Sequence, residues 1–531
     1  MAAPEQVLDA LSTEHLQADL KGRSVRGGVM TITSQGAQFL ILSTATVVLA
    51  RLLTPADFGI VAMVTAVTGL GSAFADLGLS EATIQRKEIS HNQVSALFWI
   101  NVGIGLGLML LTVALAPILA WFYKEPRLKD ITFLLSLTFL ISGLRVQHDA
   151  LLKRQMRFSL LAIRDLTACC LAVPLAIAMA WKGWGYWAIV AIPLTANSTQ
   201  MVLSWLMVRW KPGLPRRDTK VGSMIVFGGN VAASYLVLNL SRNADNVLIG
   251  WYWGAGPLGL YSRAFNLLAL PVRQLSGPAG SVAVPAFSRI QGDPERFARY
   301  YLRTVNLMIW IGAAIFGFLF VAAEPVVVLT LGHKWIEAAP VFQILAICAL
   351  GQLLFEPTIW LFVSRGESGR LLKLLLTVSP IVIASFVIGL PFGIKGVALS
   401  GSLVLLAIFP WILKYSFRGT DLTLGRLGKA ILCPISLCLA GICMGKVALH
   451  LMAPQHIVTQ LMVTGLGFGL AYSLSLFVPS VREEVWSLKQ VFVKSKSAPF
   501  PQMAESADTD AGIAPKRVEC PPAIGGARAQ V

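Results

Sequence analysis

Residues 96–121 read ALFWINVGIGLGLMLLTVALAPILAW, twenty-six positions without one charged side chain. As an α-helix this stretch is about 39 Å long, longer than the roughly 30 Å hydrocarbon core of a bilayer. A membrane strand would need only about ten residues, with alternating polarity. No such alternation is present here. A helix pairs its own backbone groups inside hydrocarbon, so the stretch predicts a transmembrane helix.

Similar runs recur along the whole chain. Fourteen apolar spans are expected, over 29–50, 58–80, 96–121, 131–152, 160–181, 184–208, 222–250, 258–283, 304–330, 338–364, 371–390, 394–416, 427–449 and 457–478. The fourth is the weakest, because its clean apolar part ends near Leu144; without it thirteen remain. Composition agrees. The 531 residues are 55% hydrophobic and 13% charged, with mean hydropathy +0.68, whereas soluble proteins carry about a quarter charged residues. This excludes a soluble multidomain enzyme, a disordered chain and a disulfide-stapled scaffold. The expected fold class is an all-α polytopic membrane protein with about fourteen transmembrane helices.

A net charge of +17 would suggest nucleic acid in a soluble protein. In a membrane protein it reflects basic cytoplasmic loops, so membrane lipids are expected as partners and nucleic acid is not. With the N-terminus inside, the inner segments carry 29 Lys and Arg, Arg145 counted among them, and the outer segments 7. That asymmetry puts both termini in the cytoplasm. Trp121-Phe122-Tyr123, Trp181 to Trp187 and Trp251-Tyr252-Trp253 mark outer ends. No outer loop exceeds about a dozen residues, which leaves no room for an extracytoplasmic catalytic domain. The first 28 residues have no signal-peptide core. Six of seven Cys lie in apolar runs as packing residues, Cys520 lies in the tail, and the scattered His residues indicate no metal site.

Val48 to Gly59 aligns with Leu248 to Gly259 at a constant offset of 200 residues. Six spans separate the two copies, so the repeats run parallel and predict two lobes with a site between them. The expected organisation is an N-terminal segment 1–28, an N-lobe 29–208, a C-lobe 222–416, a final helix pair 427–478, and a cytoplasmic region 479–531. In that last region 481–493 forms an amphipathic surface helix, and the Pro/Ala/Ser-rich remainder is disordered.

Polar residues inside spans are functional candidates, because an Arg at a helix centre costs about 2.5–3.5 kcal/mol on insertion scales. Tyr235, Asn239, Arg242 and Asn246 share one face of the seventh span, and Asp245 is placed to pair with Arg242. Arg263, Asn266 and Arg273 share one side of the eighth, where Pro271, Pro278 and Pro285 predict a bent or interrupted helix. Gln35 and Gln38 hold the matching face of the first span. Asp76, Glu324 and Glu356 are the other intramembrane acids, each a coupling candidate for H+ or Na+ or a helix-end residue beside a break. Arg164 and Asp165 read as a structural pair. No nucleophile–base set or phosphate loop stands in a usable loop, so the Arg residues are transport candidates and not catalytic ones, and no cofactor is expected.

The stretch Leu49-Ala50-Arg51-Leu52-Leu53-Thr54-Pro55-Ala56-Asp57-Phe58-Gly59 resembles the first hairpin of Wzx-type polysaccharide flippases of the multidrug/oligosaccharidyl-lipid/polysaccharide (MOP) superfamily. Asp245 to Gly250 with Leu258 to Ala264 resembles the second-half counterpart. Pro285 to Gln291 and Leu331 to Trp335 are similar to later signatures of the lipopolysaccharide-exporter branch. The resemblance implies two lobes, alternating access, and export of undecaprenyl-diphosphate-linked oligosaccharide across a bacterial inner membrane, with a polysaccharide polymerase and a chain-length regulator as further partners. It implies that Arg263 and Arg273 bind the diphosphate; the first span has Gln35 and Gln38 where a mid-helix Arg would stand. A cation-coupled multidrug antiporter is the first rival, and a membrane polymerase or glycosyltransferase the second.

Overall fold

The computed structural model of the chain describes residues 20–72, 80, 83–84, 89–208, 210–214, 242–452 and 454–475. Asp76, Tyr235, Asn239, the helix expected over 481–493, Cys520 and the tail lie outside the described residues. The described part is helical. Its first six helices are α1 (Leu20–Leu52), α2 (Pro55–Ser72), α3 (His91–Phe122), α4 (Leu128–Arg154), α5 (Phe158–Trp181) and α6 (Trp187–Val208). Then follow α7 (242–253), α8 (Ala255–Ile290), α9 (Pro294–Val321), α10 (Ala323–Leu331), α11 (Ala339–Ser364), α12 (Ser368–Gly389), α13 (Gly393–Ser416), α14 (Leu424–Met452) and α15 (Ile457–Ser475).

Nine described stretches are long and apolar enough to cross a membrane, one of them, Ser368–Ser416, holding both α12 and α13. Pro55–Gly69 and Ile457–Ser473 are shorter apolar helices. The fourth expected span is a full helix of 27 residues. The seventh is described only over 242–253.

Helix boundaries follow local chemistry. At the α1–α2 turn, Asp57 Oδ2 accepts from Thr54 N (2.9 Å) and from Thr54 Oγ1 (2.6 Å), while Pro55 takes the first helical position, where no N–H is needed. Ser90 and Gln93 close a capping box on α3. Asp293 caps α9, again with Pro next. The ninth span breaks at Ala322, one turn before Pro325, as the Glu324-Pro325 pair predicts. At two other sets of prolines the expected interruption is absent. α11 runs unbroken through Pro357, and α8 is one helix of 36 residues through Pro271, Pro278 and Pro285. Each missing N–H removes one rung of the ladder, and packing of α8 against α2 and α11 on its buried sides outweighs that loss.

The helices pack in two groups. In the first, α1 lies on α5, α3 on α4, and α6 on both α4 and α5. In the second, α11 contacts α8, α9 and α13, α12 pairs with α13, and α14 lies on α9. α2 against α8 is the main contact between the groups, and α1 against α10 is a lesser one. The principal apolar core is continuous across both. Segment 210–214, leading out of the first group, is pinned to α3. Trp210 Nε1 donates to His91 Nδ1 (3.0 Å), Trp99 Nε1 to Gly213 O (2.8 Å), and Gly213 N to Ser95 Oγ (2.9 Å).

Candidate functional site

The two groups meet most closely where the internal repeat places its copies together. A Cβ on Gly59 would overlap the carbonyl of Ala255, and a Cβ on Gly259 would overlap the carbonyl of Pro55. These four residues are two repeat-related pairs at the offset of 200, so the α2–α8 crossing is reciprocal. Only glycine at both positions allows the backbones this close. Around the crossing, Phe58 meets Trp335 edge-on at 5.4 Å, and Trp335 Nε1 donates to Ala50 O (2.9 Å). Lys334 Nζ donates to Arg51 O (2.9 Å), and Arg51 Nη2 donates to Leu329 O (2.5 Å). These are cations set against the carbonyl-rich ends of α1 and α10, where helix dipoles favour positive charge. Phe122 stacks on Trp251 at 6.0 Å. All of these contacts lie at one end of the molecule, the end poor in Lys and Arg, so the groups are joined there.

α8 runs from this joint toward the opposite end. Arg263 lies half-buried with its guanidinium 4.2 Å over the Phe58 ring, a cation–π contact across the joint. Its Nε finds no hydrogen-bond acceptor. Further along, Asn266, Arg273, Gln274, Gly277 and Ser281 are exposed. At about 100° per residue they share a third of the helix surface with Arg263. Arg273 Nε reaches only its own helix, at Ala269 O (3.3 Å), and Asn266 Nδ2 does the same at Ser262 O (2.8 Å).

The expected Arg242–Asp245 pair is not formed. Asp245 is buried and accepts from Tyr261 OH (2.8 Å) on α8. Arg242 is 55% exposed and pairs at 3.5 Å with Glu356 on α11. Neighbouring helices capture the two residues separately. Asn246 keeps its Oδ1 buried without a partner. Glu324 is exposed in the first turn of α10. In α1, Gln38 donates to Ser34 Oγ (3.0 Å), and Gln35 is exposed. The structure thus gathers Arg263, Asn266 and Arg273 on one face, links Arg242 to Glu356, and leaves Glu324 apart. A narrow apolar crevice between α8 and α11 is lined by Phe265, Leu268, Ala269, Cys348 and Gln352 among others. Among the described residues no three His, Cys, Asp or Glu side chains are grouped to hold a metal ion.

One polar cluster escaped the sequence reading. Arg145, counted there as a loop charge, lies inside α4. With Asp149 it joins Arg164 and Asp165 of α5 and Gln200 and Ser204 of α6. Arg164 donates through Nε (2.9 Å) and Nη2 (2.7 Å) to Asp165 Oδ1, through Nη1 to Ser204 Oγ (3.0 Å), and to Asp149. Ser204 Oγ donates to Asp149 Oδ1 (2.8 Å), and Gln200 Nε2 to Asp165 Oδ1 (3.0 Å). Arg145 donates to Gln200 Oε1, and its Nε lies 3.4 Å from Asp149 Oδ2 without a hydrogen bond. The i, i+4 spacing of Arg145 and Asp149 was the available signal.

These features describe a multi-pass membrane protein built as two helical groups, with an exposed polar face on α8, and its fold is that of solved MOP-superfamily transporters. A lipid II flippase, MurJ, in an inward closed conformation superposes with TM-score 0.67 at 12% identity, over 85% of this chain and 99% of that one. An inward-facing multidrug-resistance MATE transporter of the MOP superfamily gives 0.55 at 14% identity, over 72% and 96%. These likenesses concern fold. The sequence goes further, since the chain belongs to the polysaccharide biosynthesis protein family, whose model matches residues 48–340. It is 26% identical to the teichuronic acid biosynthesis protein TuaB of Bacillus subtilis, over 55% of this chain and 61% of that protein. It is 25% identical to the lipopolysaccharide biosynthesis protein WzxC of Escherichia coli, over 57% and 62%, and to the succinoglycan biosynthesis transport protein ExoT of Rhizobium meliloti, over 60% and 64%. The chain spans less than two thirds of the length of these three relatives.

Proposed function

We propose that the chain carries an undecaprenyl-diphosphate-linked oligosaccharide across a bacterial inner membrane by alternating access, for assembly of an exopolysaccharide, capsule or O-antigen. The carrying observation is the exposed polar face of α8. In a membrane protein that face costs several kcal/mol against hydrocarbon, so it borders a watery path. Arg263 and Arg273 supply positive charge along it. A phosphate about 4 Å from one Arg gains roughly 4 kcal/mol at an effective dielectric of 20, before desolvation, which suits a headgroup that must be both held and released. The joint at the charge-poor end corresponds to closure on the periplasmic side, with entry from the cytoplasm. The polysaccharide-biosynthesis relatives and the MOP fold support transport of this class of cargo.

The test is polymer export in a strain lacking its own copy of the gene, with membrane levels controlled. Arg273→Ala abolishes export while the protein still inserts. Arg273→Lys retains part of it, because a point charge attracts phosphate but lacks the bidentate fork. Wild-type export from the Arg263→Ala, Arg273→Ala double variant refutes the proposal.

A further inference from the structure

The Arg145–Asp149–Arg164–Asp165–Gln200–Ser204 cluster has no part in the cationic path of α8. Measured along three separate helices, its residues lie about 6–14 Å from the charge-rich ends of α4, α5 and α6, within the charge-rich half of helices long enough to cross a hydrocarbon layer of about 30 Å. Its charges sum to zero, two Arg against two Asp. Arg164 is spent, its side chain 7% exposed and its three nitrogens engaged. The two other edges are not spent. Asp165 is 28% exposed, and its Oδ2 takes no hydrogen bond from the described residues, all three donors converging on Oδ1. The Arg145 side chain is 16% exposed; its Nε is buried beside Asp149, its Nη1 is given to Gln200, and its Nη2 makes no hydrogen bond with the described residues.

Asp165 does not open onto lipid. Of the exposed apolar residues of α5, Ile163 and Leu171 lie more than about 100° round the helix from it, and Leu175 flanks its face about 15 Å further along. It shares the face of the buried Leu161, Ala168, Ala172 and Ala176, so its free oxygen looks into the first helix group. Ser34 of α1 meets this face by donating to Ala162 O (3.3 Å), which brings Gln38 to the same side.

A neutral site offering one open acceptor beside one open donor is poorly matched to a diphosphate, which Arg145 attracts and Asp165 repels. It is well matched to vicinal sugar hydroxyls, each of which both donates and accepts. Carboxylates and guanidinium groups make the stronger class of such bonds. We infer that Asp165 and Arg145, braced by Arg164 and Gln200, form a sugar-hydroxyl subsite in the first helix group, separate from the diphosphate-binding arginines of α8. This inference rests on the proposed cargo and divides its recognition. The second group holds the charged headgroup, and the first reads the glycan.

The experiment uses the full chain in nanodiscs and two probes, undecaprenyl diphosphate and undecaprenyl-diphosphate-linked repeat units isolated from cells that make them, with binding read by native mass spectrometry. Wild type prefers the sugar-bearing probe. Asp165→Asn reduces that preference about tenfold, the size of one lost hydrogen bond to a charged group, and Arg145→Lys reduces it several-fold. Neither variant alters binding of undecaprenyl diphosphate, and this also certifies their fold. An unchanged preference in both variants, or equal loss for both probes, overturns the subsite. Wild type that fails to bind undecaprenyl diphosphate, or binds it independently of Arg273, overturns instead the proposed cargo.

Discussion

Asp245 keeps one oxygen on the Tyr261 hydroxyl and is closed to solvent, so removing that donor leaves a buried acceptor unpaired. Tyr261→Phe is expected to lower stability by about 1–3 kcal/mol, read as thermal unfolding of the detergent-solubilised protein. Arg242→Ala, which cuts a half-exposed pair at 3.5 Å, is expected to cost less than about 1 kcal/mol. A larger loss for Arg242→Ala than for Tyr261→Phe contradicts this ranking. The same residues show where sequence reading stops. Spacing along a helix brings Arg242 and Asp245 near each other, but partner choice is made by Glu356, 114 residues away, and by Tyr261 on the next helix. Arg145 was misread for a related reason, since the apolar run fades near Leu144 while the helix continues to Arg154. Burial against α5 and α6 lets that helix carry charge.

The joint helices α2 and α8 were legible in a different way. The 200-residue repeat made their equivalence visible, whereas the expected spans start at 58 and 258, three residues inside the helix starts at Pro55 and Ala255, because Thr54 and Asp57 open a polar first turn that a hydropathy run leaves out. Their contact could not be read, because nothing in a linear pattern states that Gly59 faces Ala255 while Gly259 faces Pro55. The crossing yields a prediction at this scale. Gly59→Val and Gly259→Val each wedge the backbones apart. Each is expected to cut export more than tenfold at normal membrane levels and to make a cysteine placed at the buried Ser262 reactive to a maleimide from the periplasmic side. Normal export with Ser262→Cys still protected in both variants refutes a joint that must close.

For the whole molecule, the alternating access proposed above would require the contacts of Arg51 with Leu329 and of Lys334 with Arg51 to part in every cycle. Cysteines replacing Arg51 and Lys334, joined by a short cleavable bifunctional maleimide, are expected to stop export, and cleavage of the linker to restore it. Export that continues in the linked protein excludes opening at this end. Orientation is tested with the same chemistry. Lys124→Cys and Lys395→Cys label from the periplasm and Arg418→Cys does not; labelling of the last reverses the second half.

The strap of Trp210 and Gly213 across the start of α3 bears on biogenesis. Because it is tied down by His91, Ser95 and Trp99, all made earlier, the first helix group closes its own end before any residue after Leu214 is needed. Translation can therefore close this end of the first group in the bilayer while α2 still waits for α8, its main partner. A gene divided after the codon for Leu214 would then yield two polypeptides that find each other in the membrane, meeting along α2 and α8.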